Sequence, residues 1–200
     1  MKRFDVWLLR HGQTEGKAAL NGHYDAKVKP EVQRKIIESL QSKHLSFETI
    51  ISSPLSRCLD LAKQIEVKEG IRVVSDLQEM NFGDYDGKAF DEIPSEDWVT
   101  LEKFWCDPRQ YPLPRSEPIG EFYQRVTAAW SEVIESISSD TLIVTHGGVI
   151  RMILASVLNL AWDNPALFTQ LAISNQTLTH LQVLISDQNY VIVKSIGATL

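Results

Sequence analysis

Short apolar runs, each leading into a segment of helical period, constrain the fold of this chain more than any other feature. Phe4-Asp5-Val6-Trp7-Leu8-Leu9, Thr49-Ile50-Ile51 and Thr141-Leu142-Ile143-Val144-Thr145 are β-prone and bounded by polar or turn residues, as buried strands are. Pro30 opens a helix with Val32, Ile36, Ile37 and Leu40 on one face. Ser53 and Pro54 are suited to the N-cap and first position of a second helix, with Leu55, Leu59, Ala62 and Ile65 inward. Ile71-Arg72-Val73-Val74 reads as another strand. A long helix from about Glu117 to Ile137 buries Ile119, Phe122, Val126, Ala129, Val133 and Ile137. A further helix after His146 buries Val149, Ile150, Ile153, Leu154 and Val157. Strands Leu178–Ile185 and Tyr190–Ile196, joined at Ser186-Asp187-Gln188-Asn189, read as a C-terminal hairpin that leaves His180 exposed. This alternation predicts an α/β fold with a mainly parallel sheet and helices on both faces.

Residues 84–116 break the pattern. They carry Pro94, Pro108, Pro112 and Pro114, and only Trp98–Trp105 has a helical period. Seven of the seventeen aromatic residues fall between positions 82 and 111, so this stretch is expected to be a small inserted cap. No repeat or low-complexity linker divides the chain, which predicts one domain over residues 1–200.

Charge and cysteine use narrow the function. A net charge of −6 argues against a nucleic-acid or anionic-membrane binder, which needs a basic field. Cys58 and Cys106 lack zinc-motif or disulfide spacing, and such sparse thiols suit a reducing compartment. The apolar run near the N-terminus is interrupted by Asp5 and ends at Arg10-His11, too short for a signal peptide. A cytoplasmic protein is the expectation. These features leave the oligomeric state open.

Chemistry concentrates at strand ends. Arg10-His11-Gly12 and His146-Gly147-Gly148 each close an apolar strand, and Arg57 sits just past a third. In an open α/β sheet, ligands bind at the carboxyl ends of the strands. If these strands are neighbours, two guanidiniums, two imidazoles and helix N-termini converge on a site for a compact dianion, such as a phosphoryl group. A neutral imidazole can attack phosphorus and form a phosphohistidine. Arginines beside it favour the neutral ring and hold the phosphoryl oxygens. The leaving alkoxide then needs a proton, and Glu79, between apolar neighbours in Leu77-Gln78-Glu79-Met80-Asn81-Phe82-Gly83, is the candidate acid. Neither a metal motif nor a P-loop or dinucleotide fingerprint is present, so no metal or other cofactor is expected.

Four motifs in this order resemble the histidine phosphatase superfamily. Leu9-Arg10-His11-Gly12-Gln13-Thr14-Glu15 resembles its opening motif, Ser52-Ser53-Pro54-Leu55-Ser56-Arg57-Cys58 its second, Glu79-Met80-Asn81-Phe82-Gly83 its third and Thr145-His146-Gly147-Gly148 its last. The resemblance implies a phosphomonoesterase for a small phosphorylated substrate. His11 would be the nucleophile and Glu79 the proton donor. Arg10, Thr14, Arg57, His146 and Gly147 would surround the phosphoryl group. Within the superfamily the chain is similar to the α-ribazole-5′-phosphate phosphatases of cobalamin synthesis, which implies that cap aromatics such as Trp98 and Trp105 face a ring-bearing substrate. A phosphoglycerate mutase or a broad-specificity phosphatase shares the motifs. The mutases carry a C-terminal tail, whereas this sequence runs out directly after a strand. A non-catalytic phospho-ligand binder is the alternative of another class; retention of His11, Glu79 and His146 favours an enzyme. Two positions depart from the family pattern. Lys17 stands in place of asparagine, with an ammonium able to donate to phosphate, and Ser116-Glu117-Pro118 replaces Gly-Glu-Ser.

Overall fold

The computed structural model describes residues 2–200. The main elements, in chain order, are β1 (Lys2–Arg10), α1 (Pro30–Ser42), β2 (Thr49–Ser52), α2 (Ser56–Ala62), β3 (Ile71–Val73), α3 (Trp98–Cys106), α4 (Ile119–Ser136), β4 (Thr141–Thr145), α5 (Gly147–Val157), α6 (Ala166–Thr169), β5 (Thr177–Ile185) and β6 (Tyr190–Thr199). Short 3-10 turns lie between β3 and α3.

Among the described residues the strands form one sheet in the order β3-β2-β4-β1-β5-β6. β3, β2, β4 and β1 run parallel, and β5 and β6 add antiparallel on the β1 side. The sheet is therefore mainly parallel and ends in the expected hairpin. Strand residues alternate between its two faces, and the core divides accordingly. Val6, Leu8, Ile51 and Ile143 pack with α4 and α5, whereas Trp7, Leu9, Ile50, Leu142 and Val144 pack with α1 and α2. Leu77, Ile93, Leu101 and Leu113 join the first of these clusters. The proline-rich segment thus shares the core of the sheet and α4.

Insertion of β4 between β1 and β2 positions the site. Arg10 pairs with Thr145 and Ser52 with Val144, so three strands end side by side. Beyond the ladders, His11 N donates to Thr145 O (3.1 Å) and Ser53 N to Val144 O (3.0 Å). The peptide direction carries both histidines out of the sheet at the same level.

Two local expectations are corrected. Ser53 does not cap α2, which starts at Ser56 after an extended Leu55. The Asp25 carboxylate takes the capping role, accepting from Ser56 N (2.8 Å) and Ser56 Oγ (2.9 Å). With the start displaced, Arg57, Cys58, Leu61 and Ala62 form the buried face of α2, and Leu59 is only half-buried. His180 is not exposed. Its ring stacks on Trp7 (centroids 5.1 Å apart) and its Nε2 lies 2.9 Å from Asp5 Oδ1. Strand alternation marks a residue as facing away from the core, but says nothing of a polar partner on the next strand.

Candidate active site

His11 leaves the end of β1 with its ring held from one side. Nδ1 lies 2.7 Å from Gly12 O. A carbonyl only accepts, so Nδ1 carries the hydrogen and the lone pair is on Nε2. Burial, with the Arg57 guanidinium beside it, pushes the ring down to about 3; Arg10 adds to this and the Gly12 carbonyl opposes it. The imidazole is neutral at pH 7. Asn175 fixes the same turn through Nδ2, which donates to His11 O (3.1 Å) and Gly12 O (3.3 Å).

Arg57 and His146 are fully buried, and the His146 and His11 ring centroids are 5.2 Å apart. Arg57 Nε donates to His146 Nδ1 (3.2 Å). His146 therefore carries its hydrogen on Nε2, which donates to Ser53 Oγ (2.8 Å). Burial, then the charges of Arg57, His11 and Arg10, hold His146 well below the usual histidine range. The rest of the Arg57 guanidinium is bound to backbone, Nη1 to Tyr24 O (2.8 Å) and Nη2 to Gly22 O (2.6 Å) and Asn21 O (3.1 Å). Asp86 organises that loop by accepting from Gly22 N, His23 N, Tyr24 N and Phe82 N. Cys58 Sγ lies 3.6 Å from His146 Nε2, and burial raises its thiol so far that it stays protonated.

Glu79 faces the N-terminus of α5. Its carboxyl group accepts from Gly148 N (3.0 Å) and Met80 N (3.1 Å). A Cβ at position 148 would collide with Glu79 Oε1, so this approach requires the second glycine of the motif. The backbone behind Glu79 is clamped by Arg125 on α4. Arg125 Nη1 donates to Asp76 O (2.8 Å) and Gln78 O (2.9 Å), and Nη2 to Glu79 O (2.9 Å). Glu117 grips the same guanidinium in a fork, Nε to Oε1 (2.5 Å) and Nη2 to Oε2 (2.8 Å). The Ser116-Glu117-Pro118 segment thus acts on the Glu79 backbone rather than on the cavity.

A two-part crevice opens above these groups, with Arg10, Leu20, Glu79 and Phe82 common to both parts. The polar part is lined by His11, Gln13, Thr14, Asn21 and Asn175. The other part, of about 270 Å³, is lined largely by Met80, Phe104, Trp105, Ile119, Phe122 and Phe168, with Arg151 as a further cation. Arg10 Nη1 donates to Ile173 O (2.5 Å). Its Nε is buried with no hydrogen-bond partner. Orphaned buried donors of this kind are costly, and an anion in the polar part would satisfy this one. Among the described residues no group of three or more His, Cys, Asp or Glu is set to hold a metal ion.

Most of the expected residues are brought together. His11, Arg10, Thr14 and Glu79 line the crevice, Arg57 and His146 lie beneath it, and Gly147 opens α5 beside Arg10. One expectation fails, and one position that the sequence left open is engaged elsewhere. Lys17 lines the polar part but its ammonium is paired with Asp91 (2.7 Å) on the exposed surface, because an acidic residue of the cap lies within its reach. Trp98 does not line the crevice. It packs on Phe90 and Trp105, at ring centroid distances of 6.2 and 6.1 Å, and of the two tryptophans only Trp105 reaches the wall. Sequence reasoning did not single out Ser53 as a partner of His146, nor Asp86, Arg125 or Arg151 as site residues. For Arg151 a signal existed. It stands four residues after Gly147, on the same helix face.

Comparison with known proteins agrees with this geometry. The family model described as histidine phosphatase superfamily (branch 1) matches residues 6–194. A protein of Hydrogenobacter thermophilus, provisionally named phosphoserine phosphatase 2, is 32% identical over 172 residues, 82% of each chain. The adenosylcobalamin/alpha-ribazole phosphatase of Escherichia coli is 25% identical over 167 residues, 78% of this chain and 79% of its own. Among solved structures, the mycobacterial glucosyl-3-phosphoglycerate phosphatase superposes with a TM-score of 0.82 over 99% of this chain and 100% of its own, at 21% identity.

Proposed function

This chain belongs to the histidine phosphatase superfamily, and from that premise we propose that it is a phosphatase hydrolysing small phosphate monoesters through a phosphohistidine on His11. The observation that carries the proposal is a neutral imidazole with its lone pair on Nε2, beside the unpartnered buried Nε of Arg10. In the first step Nε2 forms a bond to phosphorus as the bond to the ester oxygen breaks, and Glu79 gives the leaving oxygen its proton. In the second, Glu79 takes a proton from water, whose oxygen attacks phosphorus and frees inorganic phosphate and neutral His11. Gly12 O holds the Nδ1 hydrogen throughout. Arg10, Thr14 and Gly147 attend the phosphoryl oxygens. Arg57 supplies positive charge from below, and the neutral ring of His146 packs beside His11. Residues 84–116 act as the cap of this one domain.

Two features of the crevice bear on the alcohol. The aromatic wall of Phe82, Phe104, Trp105 and Phe122 supports a ring-bearing substrate such as α-ribazole 5′-phosphate, the substrate class in the name of the E. coli relative. The guanidinium of Arg151 in the same wall favours a second reading, a phosphorylated acid, in line with the name of the Hydrogenobacter relative. The second reading is the better supported, because aromatic residues also serve to pack the cap, whereas packing alone does not call for a guanidinium on the crevice wall. The test is phosphate release from nitrophenyl phosphate, α-ribazole phosphate, O-phosphoserine and 3-phosphoglycerate. Turnover of at least one natural ester, abolished by His11→Asn, is expected. Undiminished turnover by that variant overturns the proposal.

A further inference from the structure

Arg151 is the cation in the crevice that the phosphoryl chemistry does not use. It lies on α5, one turn beyond Gly147, and its side chain is tied at two points. Nε donates to Leu167 O (2.6 Å) and Nη2 to Leu171 O (2.9 Å). These bonds fix the plane of the guanidinium and leave Nη1 with no hydrogen-bond partner among the described residues. Among the described residues no carboxylate forms an ion pair with Arg151. A Cβ placed on Gly147 would stand 2.9 Å from Arg151 Nη1 and 3.3 Å from Arg10 Nε. Two largely buried guanidiniums therefore meet over one glycine. Such a like-charge pair is unfavourable until an anion joins it.

We propose that Arg151 forms a second anion subsite, through which the enzyme selects phosphate monoesters carrying a carboxylate close to the ester oxygen. This rests on the phosphatase reading above. The charge count agrees with it. Three guanidiniums, Arg10, Arg57 and Arg151, stand against a single carboxyl group of the crevice, Glu79. This surplus of cations suits a substrate with more than one anionic group. Lys17 does not enter the count, because Asp91 neutralises it. A monoanion fits Arg151 better than a second phosphoryl group, since the neighbouring wall of Phe104, Trp105, Ile119 and Phe168 is largely apolar and adds no cation besides Arg10. The closeness of the two guanidiniums also limits the span between the anions, so the acid is a compact one.

The test compares esters that differ at the carboxylate. O-Phosphoserine is set against O-phosphoethanolamine, and 3-phosphoglycerate against glycerol 3-phosphate, with nitrophenyl phosphate reporting the phosphatase itself. The wild-type protein is expected to favour the acid of each pair in kcat/KM by roughly 10- to 150-fold, the range for one hydrogen bond between charged groups. The difference should appear mainly in KM. Arg151→Gln should bring both ratios close to one, whatever happens to the absolute rates, and Arg151→Lys should restore part of the preference. If Arg151 only ties α5 to the segment after α6, both members of each pair fall together and the ratios stay put, which overturns the subsite. A wild-type ratio near one, with nitrophenyl phosphate still hydrolysed, overturns the subsite and leaves the phosphatase standing. Failure to hydrolyse any ester removes both.

Discussion

At the scale of single residues, protonation states carry the account. A ring whose value falls from the ordinary 6.5 to about 3 on folding binds fewer protons than the unfolded chain between those limits. The stability linked to it is complete above about pH 6.5 and is lost as pH falls toward 3. His146 shifts in the same direction and adds to the loss. For His11 alone the loss between pH 7.5 and 5 is about 2 kcal/mol. Denaturation midpoints at pH 7.5 and 5 should therefore differ less in His11→Gln than in the wild type. Equal differences would show that the ring titrates normally in the folded state. A second prediction concerns Glu79. Positioned proton transfer contributes ~10²–10⁴ in rate, so Glu79→Gln should slow alkyl phosphates by about that factor. Formation of the phosphoenzyme from nitrophenyl phosphate, whose leaving group scarcely needs a proton, should suffer much less. Equal losses with both esters would remove Glu79 from the role.

At the scale of elements, the site depends on contacts between segments distant in sequence. Arg125 on α4 holds the backbone on which Glu79 sits, and Glu117 holds Arg125. Arg125→Met should cost on the order of 2–3 kcal/mol, since it removes three bonds to carbonyls and strands a half-buried carboxylate. It should also lower kcat for alkyl phosphates more than for nitrophenyl phosphate, because the displaced group is the acid. A loss of stability with an unchanged ratio between the two esters would make Arg125 a structural residue only. The strand ends that carry His11 and His146 were legible in the sequence, because apolar runs closed by His-Gly give both the element and its direction. The start of α2 was not. Ser53 has the chemistry of an N-cap, but its hydroxyl is taken by His146 and Asp25 caps the helix instead. Local propensity cannot see a competitor ninety-three residues away. Asp86 was illegible for the same reason, since three of its four backbone partners become visible only once the loop at 21–24 is folded against it.

At the scale of the whole molecule, strand order brings the chemistry together. Placing β4 between β1 and β2 puts three motifs separated by up to 135 positions at one edge, as His11 and His146 show. Alternating strands and helices forecast this architecture, whereas the adjacency of the three strands entered the sequence reading only as the condition for a converging site. The cap was legible only as a cluster of aromatics. Which rings face the crevice depends on the packing of α3, and there Trp105 and Trp98 part company. If a ring-bearing ester is a substrate, Trp105→Ala should raise its KM roughly five- to a hundred-fold, taking ~1–3 kcal/mol for stacking on one aromatic face. Trp98→Ala should act less, through its contact with Trp105. Identical effects of the two variants would contradict the wall seen in the structure. Among the described residues no helix is long and apolar enough to cross a membrane.

The central claim is that the phosphoryl group passes through His11. Rapid quenching of the enzyme with a labelled phosphate ester, followed by peptide mapping under alkaline conditions, tests it most directly. The account predicts an acid-labile, base-stable phosphoryl label on the peptide that contains His11, formed and lost at rates consistent with turnover and missing from His11→Asn. Full turnover with no label on that peptide, or a label carried by another residue, would contradict it.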